Sequence, residues 1–420
     1  MGIPVQLGQR AENIEGADLI VHTAAIMADN PELIAAKASG VPVLERSELL
    51  GIVTSWYDNA ICVAGTHGKT TTTSMVTQIL FTAGVDLSAF IGGKLPCIHG
   101  SGRSGSSDIM TCEACEFVDT FLKLYPDIAV LLNIDADHLD YFGTMENYFQ
   151  CKKAFFTSGM AKNAAINADD ERAAELLRDV TIPHMTYGIA AEADLFARDI
   201  EITENGVSFE LRLRNAEYIQ INLRMTGMFN VYNALSAAAC ALILGVSPEN
   251  VRAGLESIRS VPGRIEMLPT NTPYRVILDY AHAPDALSNI LRTCRTFTKK
   301  RLIALFGCGG DRDKGKRPIM GRIGGELADL CILTSDNPRT EDPMEILREI
   351  EEGIKETTGE YVVIENRRDA IRHALEIGRE GDIIVLCGKG HETYQETMGV
   401  KRPFDEKVVV QELLTELRGE

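Results

Sequence analysis

The chain has 420 residues, and this length predicts two to four domains at about 100–200 residues each. A net charge of −18 repels phosphate backbones, so we expect no nucleic-acid partner, although local amides can still bind a small anion. The ten cysteines form no regular framework, and the single pair Cys112 and Cys115 has no second pair at zinc spacing. No long apolar run or signal pattern occurs, so we expect a cytoplasmic protein without a membrane span.

Residues 1–57 have the pattern of an α/β unit. Short apolar runs predict strands at 19–21 and 41–43, with a helix after Asn30 as its N-cap and another helix from about Arg46. The stretch is too short for a complete doubly wound nucleotide-binding domain. We therefore expect an incomplete N-terminal domain that corresponds to the second half of such a fold.

A second unit opens with an apolar run at 60–64, a glycine-containing turn and a long helix from Lys69. Further apolar runs at 109–112 and 128–134 are typical of parallel strands that helices cover on both faces. The later segment 198–225 alternates more regularly and carries an Asn-Gly turn signal. It predicts a small antiparallel excursion beside the parallel sheet.

A third unit begins near residue 263. Helical patterns separate most of its predicted strands, which indicates a second open, mostly parallel sheet. The strand candidates are 275–278, 302–306, 330–333, 361–364 and 383–387. With linkers near 56–60 and 260–264, the chain divides into 1–57, 58–262 and 263–420.

The turn after the first strand of the second unit reads Gly-Thr-His-Gly-Lys-Thr-Thr. Glycines let backbone N–H groups turn into one concavity, and the helix N-terminus adds partial positive charge. Lys69 can neutralise phosphate oxygens, and Thr70 can bind Mg²⁺. Val63 stands where a strict phosphate loop has its first glycine, so an ordinary turn with a surface lysine is the alternative. The context favours phosphate binding by Gly65, Thr66, His67, Gly68, Lys69, Thr70 and Thr71.

This segment resembles the ATP loop of the Mur ligase family, and the resemblance extends through several motifs over nearly the whole chain. It implies an α/β protein of three domains, with a P-loop central domain and a Rossmann-like C-terminal domain. The implied activity is that of an ATP-dependent, ADP-forming ligase of peptidoglycan synthesis. Such an enzyme uses ATP and Mg²⁺ to join a free amino acid to a UDP-N-acetylmuramoyl precursor, and we expect a monomer or weak oligomer.

Glu113 and His138 follow two neighbouring predicted strands, and ligands gather at the carboxyl ends of strands in open α/β sheets. In Mur ligases the matching residues bind Mg²⁺, and in several members the lysine matching Lys152 is carbamylated and joins them. Alone, His138 would be a structural loop histidine, and Lys152 would be a solvated helix lysine beside Lys153. The resemblance makes the metal ligands Thr70, Glu113, His138 and Lys152.

Other residues that the resemblance assigns to the nucleotide lie later in the chain. Asn230 and Asn233 match a segment beside the nucleotide, although alone they could be N-cap and surface amides. Arg264 lies in a Pro-Gly-Arg sequence that resembles the junction of the central and C-terminal domains. The aspartate matching Asp279 contacts the ATP ribose, and the histidine matching His282 lies near the reacting phosphate. Without the resemblance, Asp279 is a turn carboxylate.

Three loops, 307–313, 336–339 and 388–392, come at or soon after predicted strand ends and can converge at one edge of the sheet. Arginine forks suit a carboxylate and a glutamate suits an ammonium, and a zwitterionic amino acid needs both. Asp-Asn-Pro-Arg in the second loop is similar to the family branch that adds meso-diaminopimelate. The amino acid would then contact Arg312, Asn337, Arg339, Gly388 and Glu392. The alternative is a set of connecting turns with exposed charges.

The two halves of the chain resemble different branches of the family. The segment before Ala60, the phosphate loop and residues 113–116 resemble the ligase that adds L-alanine to UDP-N-acetylmuramate. The chain from about Gly143 onward resembles the diaminopimelate branch. Ala283 stands where the alanine branch has a second histidine, which counts against alanine. Members of the alanine branch begin with a glycine-rich loop that binds the UDP diphosphate, and this sequence starts downstream of the position of that loop. We favour diaminopimelate; the alternatives are alanine, a folate-type substrate and a non-catalytic nucleotide-binding protein.

Overall fold

The structure, a computed structural model, describes residues 3–23, 26–115, 121–135, 139–203, 205–214, 218–258 and 263–418. Its strands form a parallel pair, a ten-stranded sheet, a six-stranded sheet and a separate hairpin. His138 lies outside the described residues. Within the described ranges, no helix is long and apolar enough to cross a membrane.

The N-terminal unit pairs two parallel strands with two helices. Its elements are a 3-10 turn (Ala11–Ile14), β1 (Ile20–His22), α1 (Pro31–Ala38), β2 (Val43–Glu45) and α2 (Arg46–Thr54). Asn30 caps α1 as predicted, since its Oδ1 accepts hydrogen bonds from two first-turn N–H groups at 3.0 and 3.1 Å. A capping box of Glu45 and Glu48 begins α2. Both strands begin one to two residues later than predicted.

The second unit is built on the ten-stranded sheet, whose order is β12-β11-β10-β9-β8-β7-β3-β6-β4-β5. Its strands are β3 (Asn59–Ala64), β4 (Ser88–Leu95), β5 (Gly100–Arg103), β6 (Ile109–Glu113), β7 (Ile128–Leu131), β8 (Asn163–Asn167), β9 (His184–Gly188), β10 (Leu195–Thr203), β11 (Gly206–Leu213) and β12 (Tyr218–Leu223). A 3-10 turn (Pro96–Ile98) follows β4. The helices are α3 (Lys69–Thr82), α4 (Leu139–Phe142), α5 (Met145–Thr157), α6 (Ala173–Asp179), α7 (Met228–Ile243) and α8 (Pro248–Ser257).

Strand β3 shows how this sheet is buried. Ile61 and Val63 belong to the core cluster that contains side chains of α3, and Cys62 and Ala64 belong to the cluster that contains side chains of α5. A strand covered on both faces must be apolar at every position, which is the pattern that predicted it. Burying a side chain such as Ile61 contributes about 1.5–3 kcal/mol.

Strand pairing separates a parallel centre from an antiparallel end. β3 pairs in parallel with β6 and β7, so the carboxyl ends of these three strands meet at one edge. β10, β11 and β12 pair antiparallel, with Thr203 opposite Gly206, which confirms the predicted antiparallel excursion. The parallel edge therefore gathers the loop after β3, the end of β6 and the segment after β7.

The third unit has a six-stranded sheet of order β13-β14-β18-β15-β16-β17. Its strands are β13 (Glu266–Leu268), β14 (Arg275–Asp279), β15 (Leu302–Phe306), β16 (Leu330–Leu333), β17 (Glu360–Val363) and β18 (Ile383–Cys387). Its helices are α9 (Pro284–Phe297), α10 (Lys316–Leu327), α11 (Pro343–Ile354), α12 (Arg367–Ile377) and α13 (Glu406–Arg418), and the hairpin is β19 (Tyr394–Thr397) and β20 (Val400–Pro403). All pairs except β13–β14 are parallel, so the loops after β14, β15, β16 and β18 emerge at one edge.

Candidate active site

The loop between β3 and α3 has the close backbone approach that a phosphate loop needs. Gly65 and Gly68 have φ values of +155° and +86°, where glycine is favoured. A Cβ on Gly68 would lie 2.5 Å from Oδ1 of Asn233, and one on Gly65 would lie 2.7 Å from Cβ of Leu132. The first N–H groups of α3 have no intrahelical acceptors, so the end of this loop is suited to an anion.

Lys69 and the threonines after it form the first turn of α3. The Lys69 ammonium donates to the carbonyl oxygens of Gly65 at 2.6 Å and Thr66 at 3.0 Å. Thr70 and Thr71 are buried beside it. The cation thus lies against the loop itself, within reach of phosphate oxygens bound there.

Neutral side chains hold the loop in shape. The Asn133 amide accepts from the His67 N–H at 2.8 Å and donates to the His67 carbonyl oxygen at 3.1 Å. The Thr66 hydroxyl accepts from the Asp135 N–H at 3.0 Å and lies 3.0 Å from the Tyr148 hydroxyl. Sequence reasoning did not identify Asn133 or Tyr148; the position of Asn133 just after β7, at the shared strand edge, is the signal for it.

Asn230 and Asn233 extend this support from α7. The Asn233 Oδ1 accepts from the Thr72 hydroxyl at 3.1 Å, and its Nδ2 donates to the Asn230 Oδ1 at 3.1 Å. The Asn230 Nδ2 donates in turn to the Thr226 carbonyl oxygen at 2.8 Å. Both amides are buried, and Gly227 is the N-cap of α7, so neither is an N-cap or a surface amide. The structure brings Asn233 beside Gly68 of the phosphate loop and Asn230 into hydrogen-bond contact with Asn233.

Glu113 ends β6 and is half-buried. Its Oε1 accepts from the Gly92 N–H at 2.5 Å, and a Cβ on Gly92 would lie 2.9 Å from both carboxylate oxygens. The carboxylate of Glu113 and the hydroxyl of Thr70 are oxygen donors of the kind that Mg²⁺ prefers, so their chemistry fits that ion. The predicted ligand His138 lies outside the described residues, and the described residues alone contain no cluster of three His, Cys, Asp or Glu side chains.

Lys152 is buried in α5 rather than solvated. It is 1% exposed, and its ammonium lies 4.7 Å from the centroid of the Tyr148 ring and 6.0 Å from that of Phe121. Its neighbour Lys153 forms an ion pair with Asp179 nearer the surface. Tyr148 contacts both Lys152 and the phosphate-loop residue Thr66, so α5 brings Lys152 next to the loop.

Asp279 lies at the end of β14 and is buried. Its carboxylate accepts from the backbone N–H groups of Ala281 at 2.8 Å and Ile265 at 2.9 Å. Burial raises the pKa of Asp279, while Arg264 and these two hydrogen bonds oppose the rise. The Arg264 guanidinium lies 5.0 Å above the Tyr280 ring. The two residues predicted to contact ATP therefore lie together at the start of this unit.

His282 follows Asp279 in the same loop. Its Nδ1 lies 2.7 Å from the Tyr280 carbonyl oxygen, which can only accept, so Nδ1 carries the proton and Nε2 is the acceptor in the neutral ring. Crowding by surrounding protein atoms lowers the pKa of His282, the hydrogen bond to Tyr280 opposes this, and Lys316 and Arg264 add to the lowering. The lowered pKa favours the uncharged ring, which has one acceptor nitrogen.

The three loops predicted to contact an amino acid meet around Asn337. Its Nδ2 donates to Oε2 of Glu392 at 2.9 Å, and its Oδ1 accepts from the Glu396 N–H at 2.9 Å. Its carbonyl oxygen accepts from the Gly310 N–H at 2.9 Å. Asn337 is buried, whereas the Glu392 side chain is 18% exposed. The loops after β15, β16 and β18 therefore converge as predicted.

The other predicted residues of this cluster, Arg339, Arg312 and Gly388, differ in their contacts and in their exposure to solvent. Arg339 has φ of +51° and donates from Nη1 to the Gly310 carbonyl oxygen at 2.7 Å. Arg312 is exposed and donates to the carbonyl oxygen of its neighbour Asp311 at 2.9 Å. Gly388 has φ of +114°, and a Cβ there would lie 2.3 Å from an Asp336 oxygen. Glycine is required at 388, and Arg312 is the more exposed arginine of the pair.

Lys389 also lies in this cluster, and sequence reasoning did not single it out. Its ammonium is fully buried and donates to Oδ1 of Asn337 at 3.0 Å and to Oε2 of Glu392 at 3.3 Å. A lysine between two glycines directly after a buried strand was the signal that could have identified it.

Comparisons with known proteins place this geometry in a family. Three family models match in sequence: the model described as Mur ligase family, catalytic domain, matches residues 1–57; the Mur ligase middle domain matches 63–241; and the Mur ligase, glutamate ligase domain, matches 263–390. The phosphate loop falls in the second match, and the loops containing Asn337 and Lys389 fall in the third.

Curated relatives extend over both halves of the chain. A UDP-N-acetylmuramoyl-L-alanyl-D-glutamate–2,6-diaminopimelate ligase of Clostridium acetobutylicum is 39% identical over 394 residues, which are 86% of this chain and 80% of the relative. A ligase of the same name from Clostridium botulinum is 39% identical over 408 residues, 90% of this chain and 83% of the relative. Both names are those of the branch that the C-terminal half resembles.

The fold has a counterpart among solved structures. That of a UDP-N-acetylmuramate-alanine ligase from Thermotoga maritima has a TM-score of 0.76 at 22% identity, and the match covers 100% of this chain and 89% of that one. At this identity the likeness concerns the fold. It confirms the three-domain α/β class predicted from the sequence.

Proposed function

Because the chain belongs to the Mur ligase family, we propose that it is an ATP-dependent, ADP-forming ligase that joins meso-diaminopimelate to UDP-N-acetylmuramoyl-L-alanyl-D-glutamate. The observation that carries this choice is the cluster of Asn337, Arg339 and Glu392, in a chain that also contains a phosphate loop. An amide, a guanidinium and a carboxylate together match a zwitterionic amino acid. The identity to two diaminopimelate ligases supports the same amino acid.

We assign the first half of the reaction to the central unit. A carboxylate is a poor electrophile, so the γ-phosphoryl group of ATP is transferred to the precursor's carboxylate, and the acyl phosphate supplies a leaving group. The loop of residues 65–71 binds the phosphates of ATP, with Lys69 balancing their charge. Asn230 and Asn233 support this loop, and Asp279 and Arg264 contact the rest of the nucleotide.

We assign Mg²⁺ to Thr70, Glu113, His138 and Lys152, the last of these as a carbamate. When bound, the ion offsets negative charge on the transferring phosphoryl group. Glu113 is oriented for this role by the Gly92 N–H, which occupies one of its oxygens. The burial of Lys152 in α5 keeps its end group beside Tyr148 and the phosphate loop.

We assign the second half of the reaction to the C-terminal unit. Arg312 and Arg339 bind carboxylate groups of the amino acid, and Asn337, Gly388 and Glu392 hold one of its zwitterionic ends. The second amine of the amino acid then attacks the acyl phosphate, forming the amide and releasing phosphate. His282, uncharged and with Nε2 as an acceptor, lies near the reacting phosphoryl group.

These assignments divide the chain into a precursor-binding part (1–57), an ATP-binding part (58–262) and an amino-acid-binding part (263–420). Because ATP and the amino acid contact different parts, closure between the last two parts assembles the complete site. A fully open arrangement with both ligands bound in an active enzyme would contradict this closure.

The test is phosphate release from ATP with two substrate pairs. We expect turnover with UDP-N-acetylmuramoyl-L-alanyl-D-glutamate and meso-diaminopimelate. Turnover only with UDP-N-acetylmuramate and L-alanine would contradict the roles of Asn337 and Arg339. ATP binding with no hydrolysis for either pair would instead support a non-catalytic nucleotide-binding protein.

A further inference from the structure

Lys389 is a fully buried cation at the point where the amino-acid-binding loops meet. Besides its hydrogen bonds to Asn337 and Glu392, its ammonium lies 5.8 Å from the centroid of the Tyr394 ring. Burial lowers the pKa of Lys389, and the carboxylates of Asp336 and Glu392 oppose this. Burying an ammonium group costs free energy unless hydrogen bonds and opposite charges compensate it, so the contacts of Lys389 indicate its role.

The first contact fixes which way the Asn337 amide points. Its Oδ1 receives two donors, the Lys389 ammonium at 3.0 Å and the Glu396 N–H at 2.9 Å, and its Nδ2 faces Oε2 of Glu392. A flipped amide would set its NH₂ group against two donors and its oxygen against a carboxylate. Only one orientation of the amide therefore satisfies all three partners.

The second contact leaves one side of Glu392 for a ligand. Oε2 of Glu392 accepts from both Asn337 and Lys389, whereas Oε1 has, within the described part of the chain, only the Tyr280 hydroxyl at 3.5 Å. Nδ2 of Asn337 has a second hydrogen beyond the one given to Glu392. The pair thus presents one carboxylate oxygen and one amide N–H side by side.

Charged side chains of both signs surround Lys389. Asp336, Glu392 and Glu406 are acidic and Lys389 and Arg367 are basic, and these groups interact with one another in the buried part of the unit. The Lys389 ammonium is thus attracted by Asp336 and by the Glu392 carboxylate that it orients.

We propose that Lys389 is the positioning residue of the amino-acid site. It orients Asn337 and Glu392 so that one N–H donor and one carboxylate oxygen receive the carboxylate and the ammonium of the incoming amino acid. The inference rests on the proposed function and adds to it a residue that acts through the binding side chains Asn337 and Glu392.

The test compares the Michaelis constants of Lys389→Met with those of the wild type, by phosphate release with meso-diaminopimelate and the precursor. The KM for meso-diaminopimelate should rise roughly 10- to 100-fold, the effect of losing hydrogen bonds to charged groups, while the KM for ATP changes less than about twofold. Equal changes in both constants, or no change in either, would overturn the proposal.

Arg301→Met is the matched control. Arg301 donates from Nη2 to Oδ2 of Asp382 at 2.6 Å, and the Asp382 side chain is 2% exposed, so the variant also leaves a buried carboxylate without its arginine. The pair lies at the opposite edge of the same sheet, before β15 and β18. This variant should melt at a lower temperature with both Michaelis constants unchanged.

A second variant, Lys389→Gln, tests the proposal if Lys389→Met fails to fold. Lys389→Gln keeps an N–H donor toward Asn337 but carries no charge, so its KM for meso-diaminopimelate should rise by a smaller factor, about 3- to 10-fold. Cooperative melting with a wild-type KM in this variant would overturn the proposal. If the wild-type enzyme released no phosphate with meso-diaminopimelate and the precursor, the result would instead contradict the proposed function itself.

Discussion

The two clusters of this molecule are held together by different chemistry. Around the phosphate loop, the groups that support it besides Lys69 itself are neutral: the amides of Asn133 and Asn233 and the hydroxyl of Thr66. Around the amino-acid loops, they are charged, above all the buried Lys389 with the partly exposed Glu392. Both clusters lie at the carboxyl edge of a parallel sheet, so the fold does not explain the difference.

The difference follows from the ligands proposed for each cluster. A polyphosphate needs a surplus of positive charge, which Lys69 and the helix N-terminus supply, and the amide and hydroxyl supports add no charge of their own. A zwitterion needs both signs close together, and charges of both signs can stabilise one another before it binds. The comparison implies that the first cluster is sensitive to the loss of one charge and the second to the loss of orientation.

The largest effect is expected for Lys69→Ala. Removing the only loop cation of residues 65–71 should lower ADP formation by roughly 10²- to 10³-fold, as for the loss of a group that stabilises transferring charge. The melting temperature should fall only modestly, because Asn133 and Thr66 still support the loop after the two hydrogen bonds from Lys69 to the Gly65 and Thr66 carbonyl oxygens are lost. Lys162→Ala, which removes a surface partner of Asp127, is the control. A stable Lys69→Ala variant with wild-type turnover would contradict the role of the loop.

The next effect concerns the buried lysine of the first cluster. If Lys152 is carbamylated, intact-protein mass spectrometry under neutral conditions should show an addition of about 44 Da that acid removes, and Lys152→Ala should lower activity by roughly 10- to 100-fold. The variant should also need more Mg²⁺ for half-maximal rate. Lys153→Ala, beside it, should change neither. If the wild-type enzyme were fully active with Lys152 unmodified, Lys152 would not be a metal ligand.

Two glycine substitutions separate the clusters. Gly68→Ala places a Cβ 2.5 Å from Asn233 Oδ1, and Gly388→Ala places one 2.3 Å from Asp336 Oδ2, each at positive φ. The first should raise the KM for ATP and the second the KM for meso-diaminopimelate, each by about 10-fold for strain of 1–2 kcal/mol. Gly143→Ala, also at positive φ but with open space around its Cβ, is the control. If both substitutions raised the same constant, the two clusters would not be independent.

Much of the fold could be predicted because its strands are buried on both faces. The run 302–306 coincides with β15, and the run 361–364 differs from β17 by one residue. The hairpin of β19 and β20 was missed. It has few buried apolar side chains and is held instead by backbone hydrogen bonds to Arg339, from the Arg339 N–H to the Glu396 carbonyl oxygen and from the Met398 N–H to the Arg339 carbonyl oxygen.

The candidate site was predictable where one short segment carries the chemistry. Residues 65–71 contain the glycines, the lysine and the threonines of a phosphate loop in one run. Lys389 was not predicted, because its role depends on Asn337, which is 52 residues away in sequence. The burial of Lys152 could likewise not be predicted from the sequence, because its aromatic neighbour Phe121 comes from a separate segment. Long-range contacts decide which charged side chains become internal.

The smallest expected effect concerns pH, and it tests whether the charged side chains that support the amino-acid loops make the stability of the protein depend on pH. Glu341 supports the loop of residues 307–313 by accepting from the Asp311 N–H at 2.6 Å, and it pairs with the buried Arg317. The hydrogen bond from Arg317 lowers the pKa of Glu341 from 4.5 to about 2, with burial opposing. The folded state therefore favours the ionised carboxylate, and this stability is fully present above pH 4.5 and is lost as the pH falls toward 2.

Glu341→Gln should lower the melting temperature by roughly 2–6 °C at neutral pH, and its difference from the wild type should shrink as the pH falls below 4.5. Asn133→Ala, which removes a neutral support of the phosphate loop, should lower the melting temperature by an amount that does not follow this pH dependence, because the amide has no proton to gain. Thermal melts of both variants across pH 7 to 3.5 compare the two clusters directly. Equal pH dependence in the two variants would mean that charge is not what distinguishes the supports of one cluster from those of the other.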